Sequence, residues 1–296
     1  MGDDWVYLNG SIVRRAEAKI SPSDRGFLYG DGFFETMRIV GGAPFLLGRH
    51  MERLNHACHE TGWGRGVNPS ELGRAVSELV GRNGVSDGYL RITASRGLYE
   101  GRLTELEASE PTVFIDVRRM ELPPLEEPPP FVLARSPYRR DETSPLVRHK
   151  ALSYQANVLA LAEGRRRGAD DVFFLNSRGY LTEGAVTNLF LVSGGKVLTP
   201  DVSCGLLPGI TRDAVMELCT RRGIVLETGE YEEAQLAAAD EVFCTNSLRG
   251  VVGVKAILEY PEWRGTACGP TSCPPASPLT RLLQHAYAGW ARHGPE

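Results

Sequence analysis

Residues 179–190 read GYLTEGAVTNLF and set one carboxylate, Glu183, between two short apolar stretches. The pattern predicts strands over 180–182 and 188–192, joined by a turn of small residues. A carboxylate beside buried strands is costly unless a cation or a proton-sharing nitrogen faces it. Glu183 is therefore expected to have such a partner, and a turn carboxylate in solvent is the plain alternative.

Similar hairpins recur outward from this stretch. Asn9-Gly10 joins strands over 5–8 and 11–13, and Gly41-Gly42 joins strands over 34–40 and 43–46. Further strands are predicted over 88–95, 112–117, 131–134, 172–175, 196–198, 224–228 and 241–244. Helices are predicted over 49–61, 69–82, 153–167, 211–222, 232–238 and 279–290. The sequence thus predicts a mixed α/β (α+β) chain with much antiparallel sheet.

Two segments interrupt this pattern. Residues 23–32 are too rich in glycine to predict a helix or a regular strand. Residues 122–130 read LPPLEEPPP, a stiff segment that is unsuited to a central strand. We therefore predict a smaller N-terminal domain over 1–121, a linker over 122–130 and a larger C-terminal domain over 131–296.

Composition excludes several classes of function. The 37 acidic and 33 basic residues give a net charge of -4 with no basic cluster, which argues against a nucleic-acid partner. No run approaches the roughly 18 apolar residues of a membrane span, and the N-terminus lacks the pattern of a signal peptide. The six cysteines have no metal-site spacing. The expectation is a cytoplasmic protein without a metal centre or a membrane partner.

Lysine is scarce, and Lys150 has the most suggestive surroundings of the four lysines. It follows Arg148 and His149 and precedes the predicted helix over 153–167. Partial desolvation and neighbouring positive charge both free the lone pair of an amine for attack on a carbonyl. A surface lysine in front of a helix is the alternative interpretation.

Three further segments are suited to binding an anion. Gly209, Ile210 and Thr211 open a predicted helix, where free N–H groups and the helix dipole favour a phosphate. The stretch 245–247, Thr-Asn-Ser, is predicted to be a polar turn, and Arg53 offers a bidentate charge. A reactive amine, a carboxylate and phosphate-binding groups together are what pyridoxal 5'-phosphate requires of a protein.

Over nearly its full length the sequence resembles the class IV aminotransferases, a fold-type IV group that includes branched-chain and D-amino-acid aminotransferases and aminodeoxychorismate lyase. The matching segments in chain order are NG at 9–10, SDRG at 23–26, YGDGFFET at 29–36, HMERL at 50–54, Lys150, TEG at 182–184, Asn188, GITR at 209–212 and TNS at 245–247. The resemblance implies a small N-terminal α/β domain and a larger domain with a mostly antiparallel, barrel-like sheet. It also implies a homodimer with the active site near the subunit interface.

The resemblance also assigns roles to individual residues. Lys150 is implied to bind pyridoxal 5'-phosphate covalently and to move the proton, and Glu183 to keep the pyridine nitrogen protonated. The phosphate ligands are implied to be Arg53, Ile210, Thr211 and Ser247. Tyr154 is the candidate for the 3'-oxygen, although a gapless alignment places that tyrosine at Gln155. Substrate contacts are implied for Phe33 and Leu248, and for Arg102 or Arg249 at the carboxylate.

The reaction has two candidates within the family. Transfer of an amino group between a branched-chain-like amino acid and a 2-oxo acid is our leading prediction. Release of pyruvate and 4-aminobenzoate from aminodeoxychorismate is the alternative, because the stretches 31–36 and 245–248 resemble the lyase more closely. D-amino-acid enzymes have a histidine after an Arg-Gly pair that is absent after Arg96-Gly97 here. A cofactor-free interaction protein on the same fold is a third hypothesis.

Overall fold

A computed structural model describes residues 4–98, 101, 103–104, 110–263 and 278–294. The chain divides into two compact units. The first unit comprises residues 1–122 and 149–153, and the second comprises 123–148 and 154–296. The sequence prediction assigned 149–153 to the C-terminal domain. Here this segment belongs to the first unit because Ala151 forms a β-bridge with Phe33.

In the described residues, the first unit contains an antiparallel sheet covered by helices. Its strands are β1 (Trp5–Leu8), β2 (Ser11–Arg14), β3 (Gly32–Val40), β4 (Ala43–Pro44), β5 (Gly88–Ser95) and β6 (Thr112–Arg119), in the order β2-β1-β6-β5-β3-β4. Its helices are α1 (Arg25–Tyr29), α2 (Leu47–Glu60) and α3 (Pro69–Arg82). The apolar stripes of α2 and α3 contribute Leu54 and Leu79 to a core that also contains Met37 and Ile92 of the sheet.

Helix α1 corrects the prediction that residues 23–32 form neither helix nor strand. Asp24 caps the helix by accepting a 2.8 Å hydrogen bond from the Gly26 N–H. Gly30 ends it at φ 66°, a left-handed conformation that glycine adopts without strain. Two end signals therefore fix a five-residue helix that has no apolar periodicity.

The second unit contains a larger sheet. Its strands are β7 (Phe131–Arg140), β8 (Asp171–Asn176), β9 (Leu181–Gly184), β10 (Asn188–Ser193), β11 (Lys196–Pro200), β12 (Leu226–Gly229), β13 (Glu241–Asn246) and β14 (Gly250–Ile257). Its helices are α4 (Gln155–Arg166), a 3₁₀ turn (Val202–Cys204), α5 (Ile210–Arg221), α6 (Glu233–Ala237) and α7 (Pro278–His293).

Six of these strands close into a barrel. The order β10-β13-β14-β7-β8-β9 returns to β10 through the pair Asn188 and Glu183. Most pairings are antiparallel, and the parallel ones are β14 with β7, β7 with β8, and β11 with β12. The barrel-like, mostly antiparallel sheet expected from the resemblance is confirmed. Glu183 lies at the point of closure, within the stretch 179–190.

Alternation along β8 shows why the barrel buries both of its faces. Phe173 and Leu175 join one apolar cluster with Leu181 and Leu191, while Phe174 joins a second cluster beneath α4. A strand covered on both sides reads as a continuous apolar run, as VFFL does at 172–175.

Candidate active site

Glu183 has the cationic partner that the sequence predicted. The residue is 8% exposed, and Oε1 of its carboxylate lies 3.1 Å from Nη2 of Arg140, the last residue of β7. Oε2 accepts a 3.1 Å hydrogen bond from the Leu207 N–H. Arg140 could not be predicted as this partner, since nothing in the local pattern at 138–140 reveals a contact with a residue so distant along the chain.

The cross-strand partner of Glu183 holds the same loop. Nδ2 of Asn188 donates a 2.9 Å hydrogen bond to the Leu207 carbonyl. Both polar groups of the Leu207 backbone are therefore bound to the pair that closes the barrel. Because α5 begins shortly afterwards, at Ile210, its N-terminus is fixed relative to the Glu183 carboxylate.

The N-terminus of α5 is built without a side-chain cap. Gly209 is the N-cap residue, and a Cβ there would lie 1.9 Å from Oδ1 of Asn188. The first N–H groups, at Ile210 and Thr211, thus start a twelve-residue helix whose dipole favours an anion. The hydroxyl of buried Thr211 lies 3.3 Å from that of Tyr287 in α7.

The stretch 245–247 differs from the predicted turn. Thr245 and Asn246 end strand β13, and the turn to β14 runs over 247–249. Oδ1 of Asn246 orders this turn by accepting hydrogen bonds from the N–H groups of Leu248 (3.1 Å) and Arg249 (2.9 Å). The half-buried Ser247 lies in the same turn. The Arg249 guanidinium lies 5.1 Å from the centre of the Phe131 ring.

Thr245 presents a buried hydroxyl that needs a partner. The residue is 1% exposed, and its Oγ1 has no hydrogen-bond partner in the described part of the chain. A buried polar atom of this kind is unusual unless it serves a ligand or a water molecule. It lies two residues before Ser247, one of the predicted phosphate ligands.

Tyr154 immediately precedes α4. Its hydroxyl donates a 2.7 Å hydrogen bond to the Ala185 carbonyl, which also accepts a 2.7 Å hydrogen bond from Nδ2 of Asn157. Burial, and then the Glu183 charge, raise the pKa of Tyr154, so the phenol stays protonated at neutral pH. Gln155, which occupies the alternative position, is exposed.

The sequence pattern placed Lys150 directly before a helix. In the structure Lys150 lies in the first unit, separated from the next helix by a short loop. Its carbonyl accepts a 2.9 Å hydrogen bond from the Phe34 N–H, and α4 begins only at Gln155. Lys150 Nζ is 4.5 Å from the centre of the Phe34 ring. The half-buried amine thus packs on an aromatic face.

Arg53 takes part in a buried network that the sequence did not predict. Its Nε and Nη2 donate hydrogen bonds of 2.8 and 2.7 Å to Glu35, whose Oε2 also lies 2.6 Å from Nδ1 of His50. Burial alone would raise the pKa of Glu35, but Arg53 and the His50 hydrogen bond lower it to about 2. Burial lowers the pKa of His50, so a neutral imidazole donates from Nδ1.

The predicted substrate contacts are placed in part. Phe33 is buried, with its ring centre 5.6 Å from those of Trp63 and His149. Nε2 of His149 lies 3.2 Å from Glu60. Arg102 lies outside the described residues. Leu248 and Arg249 lie in the β13–β14 turn of the second unit.

The chemical groups of these residues are of the types that bind pyridoxal 5'-phosphate. The first unit offers an amine in Lys150, and the second offers a carboxylate held beside a cation. An uncapped helix N-terminus and the Thr245 hydroxyl are suited to phosphate oxygens. In the described residues no group of three or more His, Cys, Asp or Glu side chains is arranged to hold a metal ion. No described helix is long and apolar enough to span a membrane.

Comparison with known proteins identifies the family. The family model described as Amino-transferase class IV matches residues 32–257. The chain belongs to the class IV aminotransferases. This class IV aminotransferase is 33% identical to a putative branched-chain-amino-acid aminotransferase of Methanocaldococcus jannaschii, over 84% of this chain and 86% of the relative. It is 32% identical to the aminodeoxychorismate lyase of Bacillus subtilis, over 86% and 87% of the two chains.

Solved structures agree with this family assignment. The branched-chain aminotransferase of Thermoproteus uzoniensis, determined with norvaline, matches with a TM-score of 0.88 and 28% identity over 100% of this chain and 97% of that one. The T.th. branched-chain aminotransferase with pyridoxamine 5'-phosphate matches with a TM-score of 0.85 and 27% identity over 99% and 95%. The protein is therefore an enzyme of a family that depends on pyridoxal phosphate.

Proposed function

We propose that this class IV aminotransferase binds pyridoxal 5'-phosphate and transfers an amino group between a branched-chain-like amino acid and a 2-oxo acid. The observation that carries the proposal is the anchoring of Leu207 by Glu183 and Asn188. It fixes a carboxylate suited to a pyridinium nitrogen relative to a helix N-terminus suited to a phosphate. When bound, the cofactor supplies a carbonyl that condenses with amines and a ring that accepts electrons.

Each residue then has a definite task. Lys150 holds the cofactor through Nζ and accepts and returns the substrate proton. Glu183, which lies beside Arg140, keeps a proton on the ring nitrogen. Backbone N–H groups of Ile210 and Thr211 bind the phosphate, together with Arg53 and Ser247.

Tyr154 and the substrate side complete the assignment. Tyr154 is assigned to the 3'-oxygen, towards which its phenol can donate only by turning away from the Ala185 carbonyl. Phe33 and Leu248 provide apolar contacts for an aliphatic side chain, and Arg102 or Arg249 binds the carboxylate. The amino-acid preference is supported by the two branched-chain relatives and by the norvaline named with one of them.

Reductive trapping tests the cofactor assignment. Borohydride treatment of the protein loaded with pyridoxal phosphate, followed by peptide mapping, is expected to label Lys150 alone. The matched control is Lys255→Arg, which changes another of the four lysines and should leave the labelling unchanged. A label elsewhere, or retained turnover in Lys150→Arg, contradicts the proposal. Absence of any cofactor binding favours an interaction protein instead.

The choice of reaction is tested by product analysis. Leucine turnover that depends on 2-oxoglutarate is expected for the transaminase. Aminodeoxychorismate lyase is the second candidate, favoured by the 32% identity to the Bacillus subtilis enzyme. Appearance of 4-aminobenzoate without an added amino acceptor, and no leucine turnover, rejects transamination in favour of the lyase.

We also propose that the active enzyme is a homodimer. Its support is an apolar patch on the first unit, defined here as Phe27, Leu28, Tyr29, Leu98 and Leu103, all of them exposed. A hydrogen bond links α1 to the segment that contains Leu103, since Nη2 of Arg25 donates to the Leu103 carbonyl at 3.3 Å. Clustered exposed apolar side chains of this kind commonly mark a protein interface, and a second copy of the chain is the partner.

A further inference from the structure

We propose that Asp171 is a positioning residue that sets the direction of the Glu183 carboxylate by fixing the turn after it. Asp171 begins strand β8 and is 0% exposed. The turn over 185–187 connects Glu183 in β9 to Asn188 in β10. This inference rests on the proposed function, in which Glu183 serves a pyridine nitrogen.

The contacts of Asp171 all converge on that turn or on its own strand. Oδ1 accepts hydrogen bonds from the N–H groups of Val172 (2.8 Å) and Ala185 (3.0 Å). Oδ2 accepts them from the Val186 N–H (3.4 Å) and the Thr187 hydroxyl (2.8 Å). One buried side chain therefore binds a polar group of every residue in the turn.

The donor set requires an ionised carboxylate. A carboxylate has about four lone-pair sites, and four donors fill them, whereas a protonated or amide side chain would turn a donor of its own towards another donor. Burial raises the pKa of Asp171 to about 6, against the opposing effect of the four hydrogen bonds, so the group is largely ionised at pH 7.

The turn is packed closely around this anchor. A Cβ on Gly184 would lie 2.3 Å from Oγ1 of Thr187 and 2.6 Å from Oδ2 of Asp171. On the other side, the Ala185 carbonyl holds the Tyr154 hydroxyl and the Asn157 amide. Asp171 thus fixes Glu183 through the adjoining backbone, and fixes Tyr154 through the Ala185 peptide.

The experiment compares two cofactors by affinity and not by turnover. Dissociation constants are measured for pyridoxal phosphate and for its analogue in which CH replaces the ring nitrogen. The wild-type protein is expected to prefer pyridoxal phosphate by about tenfold to a hundredfold, the usual value of a charge-assisted hydrogen bond. Glu183→Gln should lose most of that preference.

In Asp171→Asn the ratio of the two dissociation constants should fall to within about threefold of one. The reason is that a displaced turn redirects the Glu183 carboxylate. Thr187→Val removes one of the four donors to Asp171 and leaves the other three. We therefore expect this variant to lose a smaller part of the preference for pyridoxal phosphate. The matched control is Asp170→Asn. That neighbouring carboxylate accepts from the Val132 N–H and from Nη1 of Arg165, away from the 185–187 turn, and its variant should keep the wild-type preference.

The outcomes separate this inference from the proposed function. A wild-type protein without preference rejects the role of Glu183 itself. A wild-type preference that survives in folded Asp171→Asn, or an equal loss of affinity for both cofactors, overturns the positioning role. If Asp171→Asn does not fold, Thr187→Val decides, and an unchanged preference in that variant overturns the inference.

Discussion

Glu35 holds Arg53, one of the proposed phosphate ligands, in place through two hydrogen bonds. It is a buried carboxylate that accepts from both Arg53 and His50, and its pKa of about 2 lies below the usual value of 4.5. A lowered carboxylate pKa contributes stability above about pH 4.5, and that contribution disappears as the pH falls towards 2. Removing one partner of a buried ion pair leaves the other uncompensated.

We therefore expect Glu35→Gln to lower the free energy of unfolding by about 3 to 5 kcal/mol at pH 7. The difference from wild type should shrink between pH 4.5 and pH 2, as measured by urea unfolding. Glu52→Gln, on the exposed face of helix α2, is the control and should change the free energy by less than about 0.5 kcal/mol. A difference that does not depend on pH contradicts the role of the Glu35 charge.

Glu183 and Lys150 show which features of a residue the sequence predicts and which it does not. The cost of burying a charge predicted that Glu183 needs a partner, and the structure provides Arg140. The identity of that partner depends on which strands become neighbours, which local pattern does not reveal. Lys150 is half-buried, as its sequence neighbours predicted, but the attachment of its segment to β3 through the Phe33–Ala151 bridge is a non-local pairing.

At the scale of elements, the N-terminus of α5 makes a sharp test of the phosphate site. Gly209 has φ -78°, so the backbone tolerates any residue, and only the close approach of Asn188 excludes a side chain. Gly209→Ala is expected to lower the free energy of unfolding by about 1 to 3 kcal/mol and to weaken pyridoxal phosphate binding at least tenfold. Chemical denaturation and equilibrium dialysis measure the two effects.

The control for this substitution is Gly73→Ala in the middle of α3. A Cβ there meets nothing within 4 Å, so better helix propensity should stabilise the protein by about 0.5 to 1 kcal/mol with unchanged cofactor affinity. If Gly209→Ala binds the cofactor as tightly as Gly73→Ala does, the α5 N-terminus does not hold the phosphate.

Most elements could be predicted because their signals are local. Helix α3 was predicted with its observed bounds, Pro69–Arg82, from its helical pattern and from the Asn83-Gly84 that closes it. Strand β14 was not predicted. It begins at Gly250 with φ 68°, contains a second glycine and is buried along its first half, so neither alternation nor turn residues mark it. Its place is determined by β13 and β7 on either side.

At the scale of the whole molecule, helix α1 bears on association. Phe27 is 76% exposed, more than any other large hydrophobic residue in the described part of the chain, and it lies in α1, whose ends are fixed by Asp24 and Gly30. A rigid, short helix that presents an aromatic ring to solvent loses little conformational entropy when a partner covers it. Such a ring is a good candidate for a residue that dominates the binding energy.

We expect the wild-type protein to sediment as a dimer at micromolar concentration and Phe27→Asp to weaken dimerisation at least tenfold, because a charge would be buried against apolar groups. Sedimentation velocity over a concentration series measures this. Met120→Asp changes an exposed apolar residue outside the patch and should leave the dimer intact. A monomeric wild-type protein, or equal association of the two variants, would mean that the exposed rings of α1 serve some other contact.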